Sequence, residues 1–99
     1  MGVAEIIREQ LGHRAFVMMG AKNLVKGTDK VGKFLAFKIG SNSKKVNFVK
    51  ITLNGLDLYN IEFGYIRGIN YTVRESVTDV FVDEMHETIE KNTGIYLSL

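Results

Sequence analysis

Between Val46 and Gly68 the chain reads VNFVKITLNGLDLYNIEFGYIRG, two alternating runs on either side of Asn54-Gly55-Leu56-Asp57. Val49, Ile51 and Leu53 alternate with Phe48, Lys50 and Thr52, and Tyr59, Ile61, Phe63 and Tyr65 alternate with Asn60, Glu62 and Gly64. A period of two is what a pleated strand with one buried face requires. Asn and Gly both accept positive φ at low steric cost, so Asn54-Gly55 predicts the reversal, within a loop that extends to Asp57. The pairing is expected to be antiparallel and local.

The rest of the chain is read around this hairpin. Val3, Ile6, Ile7 and Leu11 fall at helical spacing and Gly12 stands where a helix-ending residue belongs, which predicts a short amphipathic helix that must pack on the sheet. Ala15 to Met19 is an apolar run of strand length stopped by Gly20, and its Phe and Val favour a strand. Gly20 to Asn23 reads as a tight turn, Leu24-Val25 as a short extension, and Gly27 to Lys30 as a loop. Leu35, Phe37 and Ile39 alternate with Phe34, Ala36 and Lys38, and Tyr71, Val73 and Glu75 form a last strand after the Arg67–Asn70 turn. Ser76 can cap a second helix with Asp79 three positions on, Val77, Phe81, Met85 and Ile89 sharing its core stripe and Gly94 ending it. The tail Ile95 to Leu99 alternates, and either returns to a sheet edge or packs as a terminal arm. The expected architecture is α+β: an antiparallel meander of four to five strands, with a short N-terminal helix and a longer C-terminal helix on one face.

Ninety-nine residues suit one domain, 1–99, and with 45% hydrophobic and 24% charged residues the composition is that of an ordinary globular protein. Cysteine is absent, which removes disulfides, thiolate chemistry and Cys-type zinc sites. Glu5, Arg8 and Glu9 interrupt any signal-peptide core, and no apolar run approaches the roughly 18 residues of a membrane span, so neither secretion nor membrane insertion is expected.

The segments Gly20-Ala21-Lys22-Asn23, Val49-Lys50-Ile51-Thr52-Leu53-Asn54-Gly55, Tyr59 with Glu62-Phe63-Gly64, Ile66-Arg67-Gly68 and Thr93-Gly94-Ile95-Tyr96 together resemble a group of small proteins encoded by bacteriophages and prophages. The likeness runs over most of the chain. It implies a bacterial cytoplasmic setting and a phage accessory role. That group has no established activity, so the resemblance carries over no functional residue.

The residues themselves specify no reaction. There are only His13 and His86, no GxSxG or HExxH motif, and one Gly with one Lys near Gly20 is far from a phosphate-binding loop. Asp79, Asp83, His86 and Glu90 fall on one side of the expected second helix, where Asp83, His86 and Glu90 can converge on a divalent ion. A solvated helical face is the ordinary reading of such a stripe. The expectation is therefore no catalytic residues, no metal and no cofactor.

Charge is more informative. The net charge of +2 hides a basic run in which Lys22, Lys26, Lys30, Lys33, Lys38, Lys44, Lys45 and Lys50 stand against the single acid Asp29. If the helices cover the face bearing Leu35, Phe37, Val49 and Ile51, the other presents Phe34, Lys38, Phe48 and Lys50, joined by Arg74. Rings interleaved with cations suit single-stranded nucleic acid. The leading expectation is a non-enzymatic phage or prophage accessory protein that binds nucleic acid through Phe34, Lys38, Phe48 and Lys50, with Lys44 and Lys45 steering. The alternative is a modulator of a host or phage protein, anchored by Phe34, Phe48, Tyr59 or Tyr96. A homodimer through a self-pairing edge strand is a third option.

Overall fold

Leu35, Phe37, Val49, Ile51, Ile61 and Phe63 are all buried, and alternation along three strands puts them on one side of a sheet. The computed structural model describes residues 2–40 and 42–97. Its five-stranded antiparallel sheet runs in the order β1-β2-β3-β4-β5, with β1 at Lys22–Thr28, β2 at Lys33–Lys38, β3 at Phe48–Leu53, β4 at Tyr59–Arg67 and β5 at Asn70–Val80. Three helices supply the other half of the core: α1 at Val3–Leu11, α2 at His13–Met19, and α3 at Met85–Thr93, which continues a 3-10 turn at Val82–Glu84. Ile7, Leu11, Phe16, Met19, Met85 and Ile89 from these helices join the sheet residues in one cluster. The fold is the α+β meander expected, with all helices on one face.

The central hairpin pairs Val49 with Phe63, Ile51 with Ile61 and Leu53 with Tyr59. Its loop spans residues 54–58, and the positive φ falls on Asp57 at 61°, not on Gly55. Asn54 sets this geometry: its Oδ1 accepts from the Leu56 and Leu58 N–H groups at 2.9 and 3.2 Å. The Asx side chain, more than the glycine, makes the turn. Gly12 and Gly94 end α1 and α3 at φ 86° and 75°, as their positions predicted.

Three local expectations are corrected. Ala15 to Met19 is helical, not a strand: Ala15, Phe16 and Met19 are buried while Val17 is exposed, a helical and not a strand spacing. The first strand is instead Lys22–Thr28. The second helix does not begin at Ser76, because β5 continues to Val80 and keeps pairing, Ile61 with Val77 and Tyr59 with Val80. β-branched Val77, Thr78 and Val80 favour the ladder, and Asp79, at φ 58°, absorbs the bulge there. Asp79 therefore lies on a strand, away from the stripe expected to include it, and Phe81 is exposed. Of the two alternatives for the tail, its described residues take the terminal arm: Leu97 is buried and Ile95 packs against the core, while Ser98 and Leu99 lie outside the described residues. No helix among the described residues is long and apolar enough to cross a membrane.

Candidate nucleic-acid interface

Phe34, Lys38, Phe48 and Lys50 do lie on the side of the sheet away from the helices. The register places Lys38 beside Phe48 and Lys50 beside Ala36, alternating with the buried Phe37, Val49 and Ile51. Their surroundings divide them.

Toward one end, Lys50 is already satisfied. Its Nζ reaches Asp29 Oδ2 at 2.6 Å and sits 4.5 Å from the centre of the Phe34 ring. Asp29 is fixed in turn by accepting from the Val31 and Gly32 N–H groups at 2.9 and 3.2 Å. The Lys50 ammonium first, then these N–H groups, hold the Asp29 carboxyl below the usual carboxylate range. The Phe34 ring leans on Gly27, where a Cβ would lie 2.7 Å from the ring tip. Phe34 is enclosed between a strand backbone and a paired cation.

In the middle of the face, Phe48 packs edge-to-face on Tyr71, with centroids 5.5 Å apart. The Tyr71 ring covers Gly64, whose Cβ, if present, would lie 2.2 Å from it. Its hydroxyl donates to Glu62 at 2.6 Å. Burial, then the acceptor Glu62, push the Tyr71 phenol far above its usual range. The two rings pack on each other over Gly64, with Tyr71 still 43% exposed.

At the other end the balance reverses. Lys22 and Lys38 are direct partners across the β1–β2 ladder, and both line a hollow of about 770 Å³ with Lys45, Asn23, Asn42, Asn47 and Tyr65. Among the described residues no carboxylate lines it, and the ion pairs are Lys26–Glu5 and Lys50–Asp29, neither of which involves these three lysines. Like charges directly opposite in a ladder destabilise the pairing.

Local chemistry explains the shape. Asn42 folds the loop after β2: its Nδ2 donates to the Gly40 and Val46 carbonyls and its Oδ1 accepts from Lys44 and Val46 N–H groups at 3.1 Å. Lys45 then takes φ 54° and lines the hollow, and Lys44 stands exposed on the same turn. Asn47 acts as a substitute strand, donating to the Ile66 carbonyl at 2.8 Å and accepting from its N–H at 2.7 Å.

Of the six residues expected at the interface, Lys38 and Lys45 come together, Lys44 adjoins them, Phe48 stands beside Lys38 but packs on Tyr71, and Phe34 and Lys50 are engaged with each other and Asp29. Lys22, the three asparagines and Tyr65 were missed. Lys22 belonged to the basic run, but reading Gly20–Asn23 as a turn hid its pairing with Lys38.

The acidic side chains gather elsewhere. Glu75, Asp79, Glu84 and Glu87, with one cation, Lys91, line a groove of about 490 Å³ between β5 and α3. The Asp83, His86 and Glu90 stripe is dispersed: His86 Nε2 donates to the Leu11 carbonyl at 2.7 Å and Glu90 accepts from the Leu97 N–H at 2.8 Å. Among the described residues no three His, Cys, Asp or Glu groups converge as metal ligands. Tyr59, expected as an exposed anchor, is buried and donates its hydroxyl to Gln10.

No family model matches the chain, and no curated protein or solved structure matches it.

Proposed function

We propose that this chain is a non-enzymatic nucleic-acid-binding domain that holds phosphate in the Lys22, Lys38 and Lys45 hollow. The observation that carries the reading is the Lys22–Lys38 pair, facing each other above a hollow lined by no acid. A phosphate oxygen between them removes the like-charge penalty and takes hydrogen bonds from ammonium and amide groups together. The stacking half of the original expectation loses its support, because Phe34 and Phe48 are already packed. Phosphate contact remains. In the setting that the phage resemblance implies, this would be an accessory role on phage or host nucleic acid in the bacterial cytoplasm.

The test is fluorescence anisotropy of labelled single-stranded DNA, RNA and duplex DNA at low and near-physiological salt. Micromolar binding is expected, with log affinity falling against log salt at a slope of about −2 to −3, as for roughly three phosphate contacts. No binding at low salt, or binding indifferent to salt, would overturn the reading.

A second reading, a protein-binding modulator, is favoured by one observation. Phe81 and Val82 are 55% and 50% exposed, between the Val80 and Glu84 that line the acidic groove. An apolar pair beside carboxylates suits a basic protein surface. Capture that survives high salt and is lost in Phe81→Ser would favour this reading.

A further inference from the structure

We infer that the tip of the β4–β5 hairpin is an arm that enters the minor groove of duplex DNA, with Ile69 as an apolar wedge at a base step. The inference rests on the nucleic-acid reading above and names the partner.

β4 and β5 keep pairing after β3 has ended. The last β3 partner is Gly64, opposite Phe48, whereas Tyr65–Thr72, Ile66–Tyr71 and Arg67–Asn70 continue the ladder as a two-stranded ribbon. Asn47 stiffens its base through the two hydrogen bonds to Ile66. The same Asn47, with Tyr65, lines the lysine hollow, so ribbon and hollow form one continuous surface. The tip turns at Gly68, φ 62°, through the two-residue turn that takes Gly first.

Ile69 is 100% exposed, so its side chain contributes nothing to the fold. Every residue from Arg67 to Ser76 is exposed; Arg67 stands at the tip, Arg74 lies 5.3 Å from the Tyr65 ring centre, and the nearby acids are Glu62, which accepts from the Tyr71 hydroxyl, and Glu75. An isolated exposed Ile is ordinary on a protein surface. Here it stands at the end of a braced ribbon that carries Arg67 at its tip and adjoins the basic hollow. Minor-groove binders combine these parts: cations along the groove, and an apolar side chain pressed between base pairs that bends the duplex. A single strand offers no groove to such an arm, and the rings that would stack its bases are already packed.

The experiment uses the full chain and a short DNA duplex with donor and acceptor dyes at its ends, beside the same strand unpaired. Wild type should bind the duplex more tightly and raise transfer efficiency, by an amount that corresponds to a bend of about 20° or more. Ile69→Ser should bind the duplex about tenfold more weakly and leave it straight, Ile69→Leu should restore both, and all three should melt together. Duplex binding without a bend, or an Ile69→Ser variant that bends as wild type does, overturns the wedge. Salt-dependent binding to the single strand alone also overturns it, with the hollow reading intact. No binding to either overturns both.

Discussion

Lys50 and Lys38 stand on the same face of adjacent strands, a short distance apart along the β2–β3 ladder, in opposite electrostatic circumstances. Lys50 has a carboxylate at 2.6 Å and a ring beneath it; Lys38 has another lysine across the ladder and no acid in the hollow it lines. The first cation is part of the scaffold, because its charge is spent inside the molecule. The second carries charge that the fold leaves uncompensated, at a cost in strand pairing. A basic run is thus no measure of binding capacity until each lysine's partner is known.

The largest expected effect separates the two directly. Reversing the hollow with Lys22→Glu, Lys38→Glu and Lys45→Glu together should lower low-salt nucleic-acid affinity by about a hundredfold or more, whereas Lys50→Met should change it by less than about threefold. Equal losses by anisotropy would erase the distinction.

Next comes the packed middle of the face. Gly64→Ala forces a Cβ against the Tyr71 ring and should reduce stability in urea unfolding by about 1–3 kcal/mol. A cost near zero would mean that Tyr71 swings away freely, leaving Phe48 available for stacking. Smaller and opposite in sign are two single reversals. Lys22→Glu turns the facing lysines into an opposite-charge pair and should raise stability by about 0.2–1 kcal/mol while weakening binding. Lys50→Glu sets a carboxylate beside Asp29 and should lower stability by a similar amount.

The smallest effect is one of pH. The native pKa of Asp29 is depressed below its ordinary 3.8, so its contribution is fully present above that value and is lost as pH falls through the lower native one. Asp29→Asn should flatten that part of the acid limb in a stability titration.

Much of the fold was legible because its signals are local. The alternation of Val49–Leu53 and Tyr59–Phe63 shows which face each residue takes, and Gly12 and Gly94 mark helix ends by chemistry that needs no tertiary context. Ala15 to Met19 was not legible, since a short apolar run has no period, and the neighbouring helices and sheet decide its conformation. Val77 to Val80 misled for a related reason: a helical stripe and a bulged strand share these residues, and pairing with β4 selects the strand. The site was half legible. Lys38 and Lys45 could be named from the basic run, but the Asp29 that removes Lys50 lies 21 positions away. The Lys22 that faces Lys38 becomes visible only once β1 is in register.

Strand order in the sheet equals strand order in the chain. Each ladder therefore joins sequence neighbours and closes a short loop, which is the cheap and fast kind of contact to form. The long closures fall to the helices: His86 reaches Leu11 across 75 positions. Every residue lining the hollow lies between Lys22 and Tyr65, so during synthesis this end of the sheet can be laid down before α3 has been made. The C-terminal helix is then the clasp, locking a surface whose charges are already in place.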